Sequence, residues 1–174
     1  MPAWFHAVAI ELTQPVDETA FNALYGVLAE PLWKYVARAS RRPDIADDIL
    51  QESFFRLLKS KHADLPSPEA RLYLFRIATN LLKDRWRRGY DSVGTEVRDA
   101  TTQANPDLSI DATRMLQTLK PRSSQLLWLA FVEGMSHQEI AKVTGLNPMS
   151  VRVLLARAKS QARAYFTPRG NADE

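Results

Sequence analysis

The sequence has no cysteine, only six glycines and no long apolar run in its 174 residues. The missing cysteine excludes a disulfide framework, a thiolate metal site and a cysteine nucleophile. The longest strongly apolar stretch, Leu126 to Val132, is seven residues, against the roughly 20 that a membrane-spanning helix needs. No basic segment precedes the apolar start Met1-Pro2-Ala3-Trp4-Phe5, and Glu11 breaks it early, so no secretory signal is expected. What is present, 45% hydrophobic and 25% charged residues, suits a folded soluble protein rather than a disordered one. The expectation is a reduced, cytoplasmic chain of one ordinary domain or two small ones.

The net charge of +3 is mild but unevenly placed. Residues 1–53 hold four cations (Lys34, Arg38, Arg41, Arg42) against eight acids, net −4. Residues 71–88 hold six cations against Asp84 alone, net +5. The stretch 91–111 turns acidic, and the segment from His137 to Arg169 again carries six cations against one acid, Glu139. Two basic blocks thus flank an acidic connector. A polyanion touching both blocks explains that pattern; a basic helix face that is merely solvated explains it equally well from charge alone.

Helical periodicity dominates, without convincing strand alternation. Asp17 can cap a helix through Phe21, Leu24 and Leu28, with Pro31 kinking it or restarting it before Leu32, Tyr35 and Val36. Pro43-Asp44 opens a second helix, striped by Ile45, Ile49, Phe54, Leu57 and Leu58 to about Lys59. After a polar loop, Ser67-Pro68-Glu69 reads as the start of a third helix that ends before Gly89. The stretch from Gly89 to Asn105 loses apolar rhythm and reads as a linker. A second helical block follows: about 108–119, Pro121 to Glu133 with Gly134 as stop, then two short helices ending near Phe166. The fold expected is all-α, two small helical domains joined by a flexible acidic linker. Each half has roughly 70–80 residues, where a lone core supplies only roughly 3–5 kcal/mol, so docking onto something larger would add order.

The sharpest local signal runs from Ser136 to Arg152. Ser136 with Glu139 is a capping box for a helix that buries Ile140 and Ala141. Gly145 can take the left-handed conformation that stops it, Leu146 plugs the turn, and Asn147 with Pro148 starts the next helix. Val151, Leu154, Leu155 and Ala158 form its inward stripe, while Met149, Arg152, Val153, Ala156 and Ser160 point away. Two helices around a glycine turn, the second exposed and basic, describe a DNA-reading helix-turn-helix. The plain alternative is an ordinary helical hairpin. His137 reads as a surface residue of the first turn, since no partner shares metal-ligand spacing with it.

The helix over 68–88 divides its faces. Leu72, Phe75, Thr79, Leu82 and Trp86 lie along one; Tyr73, Arg76, Asn80, Lys83, Asp84 and Arg87 line another. Cations, an amide and an aromatic ring can hold phosphates and stack on unpaired bases, although a solvated amphipathic helix has a similar appearance.

The blocks Asp47-Asp48-Ile49-Leu50-Gln51-Glu52-Ser53-Phe54 and Leu72 to Arg88, which holds Arg76-Ile77-Ala78-Thr79-Asn80, resemble the second sigma domain of extracytoplasmic-function (group IV) sigma factors. The segment from Leu116-Gln117-Thr118-Leu119-Lys120-Pro121 to Arg157-Ala158-Lys159 resembles that family's fourth domain. The likeness covers about residues 18–166 in the right order. It implies an N-terminal extension over 1–16, sigma region 2 over 17–88, a linker over 89–107, sigma region 4 over 108–167 and a tail over 168–174. It also implies a sigma subunit that binds the clamp helices and flap of bacterial RNA polymerase core, selects promoters and helps to melt them.

Carried over by position, Asp48, Gln51 and Glu52 would meet the polymerase core, an acidic, amide-bearing helix facing arginines. Arg76, Asn80, Lys83, Asp84 and Arg87 would handle and melt the minus-ten element. A flipped base would sit against the loop from Lys59 to Pro68. Met149, Arg152, Val153, Ala156, Arg157 and Lys159 would bind the minus-thirty-five duplex. Met149-Ser150 departs from the pair usual at that helix start, and the loop at His62-Ala63-Asp64-Leu65-Pro66 lacks the customary aromatic or glycine.

No cofactor, metal or catalytic residue is expected, nor membrane insertion, and the chain is not expected to be an enzyme. An anti-sigma factor is the expected regulator, because no further domain follows Phe166 in the pattern; the place of action would be the cytoplasm, on the nucleoid. The main rival is a stand-alone helix-turn-helix repressor or activator with a helical dimerisation domain, which would bind a palindromic operator without polymerase. A nucleic-acid enzyme would need clustered acids, and Asp47 and Asp48 diverge on a helix.

Overall fold

A computed structural model describes residues 17–60, 68–91 and 110–167, all-helical apart from caps and short turns. The helices are α1 Glu18–Ser40, α2 Pro43–Leu58, α3 Pro68–Asp91, α4 Ile110–Thr118, α5 Pro121–Phe131, α6 His137–Thr144 and α7 Pro148–Phe166. They form two compact units, the first built on α1 to α3 and the second on α4, α5, most of α6 and α7.

In the first unit the three helices pack mutually. Asp17 caps α1, its Oδ1 accepting from the backbone N–H of Thr19 at 2.9 Å and of Ala20 at 3.2 Å. The helix runs unbroken through Pro31, with Leu28 and Leu32 buried on either side of it. Core contacts outweigh the missing hydrogen-bond donor there, so the proline neither ends nor restarts the helix. Arg41 closes α1 in the left-handed region, φ 58°, and Pro43 starts α2 after an extended Arg42.

The core holds Leu32, Tyr35, Val36, Ile49, Phe54, Leu57, Leu74, Phe75 and Leu82, and burying one such side chain contributes about 1.5–3 kcal/mol. Two aromatic contacts tie the helices together: Phe21 meets Phe54 edge-on at 5.9 Å, and Tyr35 leans on Phe75 at 5.3 Å. The Tyr35 and Thr79 hydroxyls share a buried 2.7 Å hydrogen bond between α1 and α3.

Two expectations need correction. The third helix does not stop before Gly89 but continues to Asp91; a glycine costs about 1 kcal/mol within a helix, which weakens it without ending it. Its buried face is also wider than the stripe read from the sequence. Ala70, Leu74, Ile77 and Ala78 are buried with Phe75, Thr79 and Leu82, while Leu72 and Trp86 are only half-buried at the margin. Packing against two helices, rather than one, needs that broader wedge. On α2, Leu50 is buried and Ile45 half-buried, a similar small rotation of the stripe.

The second unit packs α5 and α4 on α7. The capping box is present: Glu139 N–H donates to Ser136 Oγ at 3.3 Å, and Ser136 N–H donates to Glu139 Oε2 at 2.7 Å. Gly145 ends α6 at φ 71°, and Asn147 Oδ1 accepts from Ser150 N–H at 2.7 Å to cap α7. α5 ends at Phe131, and Gly134 takes φ 66° two residues beyond its capping Val132. The expected helix near 108–119 spans Ile110–Thr118, and α7 runs from Pro148 to Phe166, starting and ending where expected. The loop before Pro68, the linker from 92 to 109 and both ends of the chain lie outside the described residues.

Candidate nucleic-acid and partner surfaces

On α3 the core wedge leaves one side of the helix to solvent. At 3.6 residues per turn, Arg76, Asn80, Lys83 and Arg87 fall within an arc of about 60°, and all four are exposed. Asp84 stands at the edge of this arc, half-buried, and its carboxylate accepts from Arg87 at 2.7 Å. The arc therefore offers amide and cation donors along three turns, with one guanidinium already held in place. The loop expected to hold a flipped base lies outside the described residues.

α2 presents the opposite polarity. Asp47, Asp48 and Gln51 are exposed and Glu52 is half-buried. The adjacent carboxylates part company. Arg85 of α3 donates to Asp48 Oδ2 at 3.0 Å, whereas the Trp33 indole of α1 donates to Asp47 Oδ1 at 2.7 Å. Glu52 accepts from Arg56 at 2.6 Å. Partial burial, and secondarily the Asp47 charge, push the Tyr25 hydroxyl above its ordinary pKa.

Neither Trp33 nor Arg85 is marked as special by sequence spacing. Trp33 lies 14 residues from Asp47 and Arg85 lies 37 from Asp48, so each contact exists only once the helices pack. Arg38, near the end of α1, is drawn down to about 10 by burial and by the like charge of Arg41. Arg42 stands outside and pairs with Asp44 at 2.5 Å, holding that carboxyl below its usual range.

On α7 the inward residues Val151, Leu155 and Ala158 are buried and Leu154 is half-buried. Met149, Arg152, Val153, Ala156, Arg157 and Lys159 are all exposed, with Met149 at 66% and Val153 at 44%. They do not form one line. Met149, Arg152 and Ala156 share an arc of about 60°, but Arg157 points about 140° from Arg152 on the same helical wheel. Lys159 leans to the other flank, its Nζ 5.0 Å from the centre of the Phe131 ring. It there borders an apolar groove of about 450 Å³ between α4, α5 and α7, lined by Met115, Leu116, Trp128, Phe131 and Phe166. His137 is exposed. Among the described residues no three acids or histidines gather as a metal site, and no helix is long and apolar enough to cross a membrane.

Comparison with known proteins follows the same division. The family description "Sigma-70 region 2" matches residues 24–90, and "Sigma-70, region 4" matches residues 110–161. The RNA polymerase sigma factor CarQ of Myxococcus xanthus is 29% identical over 154 residues, covering 84% of this chain and 88% of its own length. The ECF RNA polymerase sigma-E factor of Haemophilus influenzae is 27% identical over 179 residues, covering 91% of this chain and 94% of the relative. Among solved structures, the sigma factor RpoE in complex with the anti-sigma factor NepR from Bartonella quintana shares the fold. Its TM-score is 0.68 at 18% identity, over 83% of this chain and 95% of that one. With both regions present in order and relatives matched over most of their length, the chain belongs to the sigma-70 family of RNA polymerase sigma factors, in its extracytoplasmic-function group.

Proposed function

We propose that the chain binds bacterial RNA polymerase core, brings it to specific promoters and promotes melting of their minus-ten element. The observation that carries this reading is the combination, in one chain and in family order, of an acidic docking face on α2, a basic donor arc on α3 and an exposed reading helix, α7. The segment 17–88 acts as the core-binding and melting domain and 108–167 as the duplex reader, with 89–107 as the tether between them; 1–16 and 168–174 lie outside both.

Within this scheme Asp48, Gln51 and Glu52 meet the polymerase clamp helices. Arg76, Asn80, Lys83, Asp84 and Arg87 hold the opened minus-ten strand, phosphates pairing with cations and bases with the amide. Met149, Arg152, Val153 and Ala156 address base edges of the minus-thirty-five element, while Arg157 and Lys159 flank them as phosphate contacts. The apolar groove beside Lys159 receives the polymerase flap. An anti-sigma factor controls the chain, a role supported by the NepR complex of its structural relative. It works in the cytoplasm, on the nucleoid, and supplies binding energy rather than catalysis.

The test is run-off transcription. Core enzyme with the purified chain should give defined transcripts from a cognate promoter, and core alone should give none. Tight operator binding without core, and no transcripts with it, would establish the repressor instead.

A further inference from the structure

The acidic face of α2 consists of two rows, and they are not equivalent. Asp48 and Glu52 lie four residues apart in one row, and each already holds a cation, Arg85 at 3.0 Å and Arg56 at 2.6 Å. Asp47 and Gln51, also four apart, form the neighbouring row. Asp47 instead accepts from the neutral indole of Trp33, at 2.7 Å.

That difference has consequences for an arriving cation. A guanidinium on Asp48 offsets part of the charge that a partner would meet, and must be displaced or shared. An indole N–H orients a carboxylate without neutralising it, and leaves Oδ2 and the spare lone pair of Oδ1 to accept from further donors. Fixing the side chain beforehand also removes part of the rotamer entropy that binding would otherwise cost. The planar fork of an arginine fits such a carboxylate best.

We propose that Asp47 is a further polymerase-docking residue, accepting an arginine of the core enzyme, and that Trp33 is the positioning residue that aims it. This rests on the sigma-factor reading above and adds to its docking face a carboxylate held by an indole rather than by a cation.

The experiment measures affinity of the full chain for polymerase core over a salt series, with a thermal midpoint recorded for each variant. Asp47→Asn keeps an acceptor for the indole and removes the charge; it should weaken core binding about tenfold, as loss of one partner of an interfacial charge pair does. It should also flatten the salt dependence. Trp33→Phe keeps a ring but loses the donor, and should weaken binding about two- to fivefold with the salt dependence retained, the scale of lost preorganisation rather than lost charge. In the Asp47→Asn background Trp33→Phe should cost nothing further. Asp48→Asn should weaken binding less than Asp47→Asn does.

Core affinity of Asp47→Asn within twofold of wild type at an unchanged midpoint overturns the inference. So does an undiminished Trp33→Phe loss in the Asp47→Asn background, which would mean that the ring acts by packing. A wild-type chain that fails to bind core overturns the sigma reading itself, a result distinct from either of these.

Discussion

Arg85 of α3 and Asp48 of α2 meet through a 3.0 Å charge-assisted hydrogen bond at the margin of the three-helix core, with side chains 42% and 66% exposed. On the helical wheel Arg85 points about 180° from Arg76, so it extends the buried wedge of α3 rather than its donor arc. The pair pins the end of the proposed DNA-binding helix to the proposed polymerase-binding helix. Solvent screening keeps it weak: a double-mutant cycle with Asp48→Ala and Arg85→Ala should give a coupling of about 0.2–1 kcal/mol in thermal or urea unfolding. A larger coupling would mean that the pair is shielded from water.

The Tyr35–Thr79 bond is a different kind of link, fully buried between α1 and α3. Tyr35→Phe retains the ring contact with Phe75 and loses only the hydroxyl. It should lower stability by about 0.5–1.5 kcal/mol, and Thr79→Val by a similar amount. The double variant should cost less than the sum, because both changes remove the same bond. Urea unfolding of the full chain, with the midpoint of each variant compared, reads this directly.

How far the sequence foretold these features depends on the range of the interaction. Caps are local, and Asp17, Ser136 with Glu139, Gly145 and Asn147 are found doing what their spacing implies. The outward residues of α7 are local too, since helical pitch alone assigns them. The contacts Trp33–Asp47 and Arg85–Asp48 depend on how α1, α2 and α3 cross, which no pattern within one helix encodes. Gly89 misleads for the converse reason: its preference for turns is weak beside propagation from the long helix that precedes it. Arg41 is the reverse case, a non-glycine residue at a left-handed helix end where the sequence offers no glycine to mark it.

That helix end yields a prediction. The left-handed region costs an L-residue with a Cβ about 1–2 kcal/mol, and glycine escapes most of it. Arg41→Gly should therefore raise the stability of the first unit by about 1 kcal/mol, a gain read from the thermal midpoint. It also removes the like charge that, after burial, draws Arg38 down. A loss of stability would show that the Arg41 side chain contributes more than its backbone costs.

The donor arc on α3 separates melting from duplex binding. Asn80 and Lys83 are exposed and, along the helix axis, lie between Arg76 and Arg87, where they reach an opened strand rather than the base edges of a duplex. Asn80→Ala and Lys83→Ala should each reduce permanganate-detectable opening of the minus-ten element by about tenfold, as loss of a contact worth roughly 1–2 kcal/mol would. Binding of the minus-thirty-five duplex should be unaffected. Unchanged open-complex yield in both variants would remove this face of α3 from promoter melting.

The reading helix invites the most discriminating test, because its cations sit in different places. Arg152 stands one turn into α7, flanked by the exposed apolar side chains of Met149 and Ala156. There a guanidinium can reach both major-groove acceptors of a guanine, with apolar neighbours suited to thymine methyls. Arg163 lies three turns further on, beside the groove of the second unit, where a backbone phosphate is the nearer target. Arg152→Ala should therefore cost about 1–3 kcal/mol and relax preference at one position of the minus-thirty-five element. Arg163→Ala should weaken binding evenly across sequences and reduce the salt slope by about one unit. A promoter library bound by holoenzyme of each variant over a salt series decides between these roles. If Arg152→Ala lowers affinity uniformly and leaves base preference unchanged, Arg152 is a phosphate clamp, and specificity falls to Met149, Val153 and Ala156 acting on methyl groups.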